Sequence, residues 1–145
     1  VSPALRRLGK KEEINLHGPY GSFVLDKNSV KNKHFTFVAT GTGIAPFHSF
    51  IRSYPELNYQ IVNGIRCLSE RYNYESYHPS KITTCVSREK WEGFNGRVTA
   101  YFNKTKINSQ SIFYLCGNQK MIQETYDLLR KSNVSGNQIF TEAFF

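Results

Sequence analysis

The sequence predicts an α/β domain: a five-stranded parallel sheet with helices on both faces, preceded by two short strands. Three observations carry this reading. β-rich apolar runs alternate with helix-patterned segments along most of the chain. A glycine-rich turn joins the first such run to its helix. Right-handed crossovers then leave few arrangements other than a parallel sheet covered on both sides.

In chain order, residues 12–16 and 22–25 read as short strands around the turn cluster His17-Gly18-Pro19-Tyr20-Gly21. Phe35-Thr36-Phe37-Val38-Ala39 is the first strand of the sheet, and the Thr40-Gly41-Thr42-Gly43 turn opens a helix over 44–51. Residues 59–65 follow as strand, 69–77 as a short helix and 82–86 as strand. Residues 96–104 read as helix and 111–116 as a buried strand. Residues 119–131 form the longest helix, with Met121, Ile122, Thr125, Leu128 and Leu129 on one face. Residues 138–141 supply the fifth strand. A domain boundary is expected near residue 30, giving 1–30 and 31–145.

Composition narrows the function. The 145 residues are 39% hydrophobic and 14% aromatic, which suits a packed domain and not a disordered one. Cys67, Cys85 and Cys116 are odd in number and widely spaced, so neither a disulfide framework nor a metal site is expected. No apolar run has the length of a membrane span and the first residues do not resemble a secretory signal, so a cytoplasmic location is the expectation. The formal net charge of +8 points to an anionic ligand or partner. Its basic residues are scattered without interleaved aromatics, which argues against nucleic acid. His17, His34, His48 and His78 show no ligand spacing and receive no catalytic role.

Chemistry concentrates at the strand ends. Thr40, Gly41, Thr42 and Gly43 follow a strand and precede a helix, where free N–H groups and the helix dipole favour a phosphate. The run lacks the third glycine of GxGxxG and the Lys-Ser/Thr of a nucleotide-hydrolysing loop, which argues against triphosphate hydrolysis. Ser87 and Arg88 end the third strand of the sheet, with Arg97 close behind in sequence. A hydroxyl beside planar guanidinium forks suits a phosphate dianion. No acidic residue is expected at the end of the 59–65 strand to take a free ribose 2′-hydroxyl, which favours NADP over NAD.

Five motifs, in order, resemble the ferredoxin/flavodoxin–NADP+ reductases of the bacterial type: Gly18-Pro19-Tyr20-Gly21-Ser22-Phe23, Thr40-Gly41-Thr42-Gly43-Ile44-Ala45-Pro46, Val86-Ser87-Arg88-Glu89, Cys116-Gly117-Asn118 and Glu142-Ala143-Phe144-Phe145. The resemblance implies a Rossmann-like NADP-binding domain preceded by the end of an FAD-binding β-barrel, with residues 1–30 as the barrel's remnant. Ser2 would be the serine of a GxxS element holding the FAD pyrophosphate. By the same resemblance the remaining flavin-gripping elements would belong to a barrel outside this chain.

The same resemblance assigns roles. Ser87, Arg88 and Arg97 would hold the 2′-phosphate, with Arg66 adding to the patch. Plant-type relatives carry a tyrosine where this chain has Thr99, and Arg66 could stack on adenine instead. Cys116, with Gly117 and Asn118, would stand beside the nicotinamide. Glu142 would relay a proton near the flavin, and Phe144 or Phe145 would cover the flavin ring. The implied activity is hydride transfer between NADPH and FAD, with single electrons passed to or from ferredoxin or flavodoxin. Two alternatives are a reductase component of an oxygenase, often using NADH, and a non-catalytic nucleotide-binding module.

Overall fold

The computed structural model describes residues 2–18 and 20–144, with the Ser2 side chain outside the described set. The expectations placed on Ser2 as a side chain, on Pro19 and on Phe145 therefore lie outside the described residues. A helix α1 (Ser2–Arg7) opens the chain. The sheet consists of β1 (His34–Thr40), β2 (Asn58–Ile65), β3 (Ile82–Val86), β4 (Phe94–Asn95), β5 (Ile112–Asn118) and β6 (Ile139–Phe144). All pairings are parallel in the order β4-β3-β2-β1-β5-β6.

Strand alternation divides the core between two faces. Phe35, Phe37 and Ala39 of β1 join Tyr59 and Ile61 of β2 and Tyr114 of β5 beneath helix α2 (Ala45–Ser53). Phe37 stacks on Phe47 of that helix at 4.8 Å between ring centroids. Val38, Val62, Phe113 and Leu115 face the other way, under α3 (Val98–Lys104) and α4 (Gln119–Lys131). Each aromatic pair adds about 0.5–1.5 kcal/mol to the stabilisation from its buried area. Among the described residues no helix is long and apolar enough to cross a membrane.

Four expectations need correction. The sheet has six strands, because Phe94–Asn95 pairs with Cys85 and Val86 at the β3 edge. Residues 12–16 and 22–25 form no strand. Leu16 and Val24 are exposed and, among the described residues, no neighbouring strand pairs with their segments, and a lone strand pair is marginal in water. The helix expected at 69–77 is instead two 3₁₀ turns, Leu68–Glu70 and Tyr74–Ser76, because Arg71 is extended and Asn73 sits at φ 48°, conformations an α-helix cannot contain. The helix expected from 44 begins as a 3₁₀ turn, Gly41–Ile44, before α2 takes over.

The segment before β1 is tied to the sheet despite lacking strands. Phe23 packs edge-on to Tyr114 at 5.3 Å, Leu25 and Val30 are buried in the α2-side core, and the Tyr114 hydroxyl donates to the Val24 carbonyl at 3.0 Å.

Candidate nucleotide site

Strand order reverses at β1: the chain steps outward through β2, β3 and β4, then returns to place β5 and β6 on the other side. The crevice outside the carboxyl ends at such a switch point is where parallel α/β sheets bind ligands. A cavity of about 1000 Å³ lies there. It extends from Phe144 at the end of β6 to Arg88 and Arg97 beyond β3 and β4. From β3 to β6 is four strand spacings, roughly 19 Å at ~4.8 Å each, enough for an extended dinucleotide.

The turn after β1 is shaped by two close approaches. A Cβ on Gly43 would collide with the Cys116 carbonyl, so the Gly41–Ile44 turn presses directly on β5. Gly117 sits at φ +130°, and a side chain there would collide with the Thr40 hydroxyl and carbonyl. The Thr40 hydroxyl accepts the Asn118 amide at 3.0 Å and makes no capping bond to its own turn. Neither the 3₁₀ turn nor α2 has a side-chain cap. The first N–H groups are therefore left for an anion, the arrangement that suits a pyrophosphate. Asn118 also caps α4, its Oδ1 accepting from Lys120 N at 3.1 Å and Met121 N at 3.3 Å.

At the other end, β3 pairs with β2 beyond its last residue. Ser87 N donates to Ile65 O at 3.1 Å and Arg88 N to Arg66 O at 3.0 Å. The Ser87 hydroxyl also donates to Ile65 O at 3.2 Å. Arg97, the residue before α3, completes a basic edge of the cavity.

Thr40, Gly41, Thr42, Arg66, Ser87, Arg88, Arg97, Gly117, Asn118 and Phe144 line this one cavity, so these predicted residues converge. Gly43 is buried behind them. Cys116 is not among the lining residues: it is 0% exposed, on the Tyr114 face of β5, and burial first and Glu142 second push its thiol up to about 12. Burial thus favours the neutral thiol over the thiolate. Glu142, its register partner on β6, is exposed and outside the cavity.

One expectation about this edge is overturned. An acidic side chain does stand just past β2: Glu70, in the 3₁₀ turn, lines the cavity and grips Arg66. Its Oε1 lies 2.5 Å from both Nε and Nη2 of Arg66, and its Oε2 accepts Arg66 N at 2.8 Å. The four-residue spacing from Arg66 was the available signal. Arg71, also missed, is held between the rings of Tyr74 and Trp91 at 4.9 and 5.0 Å.

The residues present fit a phosphorylated dinucleotide, with an uncapped turn at the switch point and cations at the far edge. The model of the family described as oxidoreductase NAD-binding domain matches residues 37–127. The flavodoxin/ferredoxin–NADP reductase of Buchnera aphidicola subsp. Schizaphis graminum is 33% identical over 135 residues, covering 77% of this chain and 52% of that relative. The anthranilate 1,2-dioxygenase electron transfer component of Acinetobacter baylyi is 26% identical over 150 residues, covering 92% and 42%. The chain thus spans about half the length of the curated relatives it matches. In fold, the solved ferredoxin-NADP+ reductase from Plasmodium falciparum superposes with a TM-score of 0.78 at 22% identity, over 99% of this chain and 64% of that one.

Proposed function

The chain belongs to the oxidoreductase NAD-binding domain family, and from that membership we propose that it is the NADP(H)-binding half of a flavin-dependent reductase serving ferredoxin or flavodoxin. The observation that carries the reading is the single cavity joining the uncapped Thr40-Gly41-Thr42-Gly43 turn to the Ser87, Arg88 and Arg97 edge. The turn receives the pyrophosphate through backbone N–H groups. Arg88 and Arg97 receive the 2′-phosphate, and their planar forks match its oxygens. The nicotinamide end then falls between Gly117, Asn118 and Phe144.

In this reading Phe144 is the ring that stacks at the flavin face, with Phe145 beside it, and gives way to nicotinamide. Cys116 shapes the floor of that end from beneath. Glu142 is a proton relay on the β6 edge. When bound, FAD supplies the step between two-electron hydride and one-electron chemistry. The chain's own contribution is to orient the dinucleotide. Residues 1–30 are proposed as the end of the flavin-binding barrel, with Ser2 on its pyrophosphate and 23–30 as the strap that packs on the sheet. The net charge of +8 suits an acidic electron-carrier partner.

A second reading, the reductase component of an oxygenase, is supported by Glu70, whose carboxylate stands where a ribose hydroxyl could be accepted. The test is a pair of preparations. The chain alone should bind NADP+ yet be colourless and inactive, whereas joined to a flavin-binding barrel it should oxidise NADPH with ferricyanide as acceptor. Stoichiometric yellow flavin in the chain alone, or no NADP+ binding, would contradict the proposal.

A further inference from the structure

Among the described residues two carboxylates line the cavity: Glu124, on α4 beside Lys120, and Glu70, which engages an arginine of the basic edge. Glu70 is three-quarters withdrawn from solvent, its side chain 28% exposed, and it engages Arg66 at both Nε and Nη2 while also accepting the Arg66 backbone amide. The Arg66 fork is thereby turned onto a protein carboxylate. The neighbouring carboxylate, Glu89, accepts Leu68 N and does not line the cavity. Glu70 is therefore the acidic side chain that a 2′-substituent at Arg88 and Arg97 would meet at this edge, among the described residues.

We propose that Glu70 is a specificity-determining residue for the 2′-substituent of the bound adenosine: it withholds Arg66 from a 2′-phosphate and presents an acceptor to a 2′-hydroxyl. This rests on the reading of the cavity as a nucleotide site. Two effects act in one direction. Arg66, with Nε and Nη2 turned onto Glu70, offers a phosphate only its remaining donors. The carboxylate also adds a negative charge beside the dianion, an unfavourable interaction that only solvent screens. A neutral ribose hydroxyl escapes the repulsion and can donate to Glu70. The arrangement persists across ordinary pH, because the Arg66 hydrogen bonds hold the Glu70 carboxyl below its usual range.

Titrations of 2′-phospho-AMP and AMP into the full chain read this directly. Glu70→Gln, which keeps an acceptor for the Arg66 amide, should tighten 2′-phospho-AMP by about two- to fivefold, the size of an exposed charge interaction, and leave AMP no tighter. Arg66→Ala should weaken 2′-phospho-AMP more in the Glu70→Gln background than alone. In the otherwise unchanged chain, Arg66→Ala should cost much less than Arg88→Ala, a comparison that stands even if Glu70→Gln fails to fold. An unchanged affinity ratio in Glu70→Gln, or equal costs for Arg66→Ala and Arg88→Ala, overturns the role of Glu70 alone. Failure of the unchanged chain to bind either nucleotide overturns the reading of the cavity and this proposal with it.

Discussion

The Arg88 amide donates to the Arg66 carbonyl at 3.0 Å, so the pairing of β3 with β2 continues past the last regular residue of each strand. That bond sets two guanidinium-bearing residues at neighbouring strand ends and aims the loop after β3 at the cavity. Their side chains then part in role, because Glu70 holds one of them.

The contact between Gly43 and β5 predicts a local stability cost. In Gly43→Ala the added Cβ meets the Cys116 carbonyl, a backbone atom that cannot rotate away. The expected loss is about 1–3 kcal/mol, the range for overpacking a tight site, read from the urea midpoint at constant m. Nucleotide affinity should fall as well, since the displaced turn is the uncapped one proposed to receive the pyrophosphate.

His34 predicts a pH dependence. Its Nδ1 lies 2.7 Å from the hydroxyl of buried Ser111, tying the start of β1 to the start of β5. Burial first, and Lys81 second, lower its pKa below 6.5. The unfolded chain therefore takes up the proton first as pH falls. Stability should drop through the window below pH 6.5, reaching its full loss beneath the folded-state value. His34→Gln should flatten that part of the melting temperature against pH profile. An identical slope in the variant would assign the acid sensitivity elsewhere.

Much of this architecture was legible in the sequence. The longest helix was readable end to end because the apolar face of 119–131 recurs at helical spacing and Asn118 caps it through two amides. The Thr40 turn was legible because strand, glycines and proline punctuate the chain in order. Phe94–Asn95 was not, since a two-residue edge strand has no period to detect. The 69–77 segment carried helix-like composition, yet Asn73 in a left-handed conformation decides its path.

The site was partly legible for related reasons. Arg88 could be placed from its strand end, Arg97 only through the family resemblance, and both line the cavity. Glu70 was missed because its reach to Arg66 depends on a 3₁₀ turn that sequence periodicity does not show. The burial of Cys116 follows from strand alternation: it shares a face with Tyr114, two residues earlier, and that face is covered by α2 and the Phe23 segment.

The central claim is that the cavity at the strand ends holds NADP(H) through Arg88 at the 2′-phosphate. Calorimetric titration of NADP+ and NAD+ into the chain and into Arg88→Ala tests it most directly. NADP+ should bind more tightly than NAD+, with Arg88→Ala removing most of the difference at a cost of about 1.5–3 kcal/mol, the worth of a charge-assisted hydrogen bond. Equal affinities for the two nucleotides, or a preference for NADP+ that survives Arg88→Ala undiminished, would contradict it.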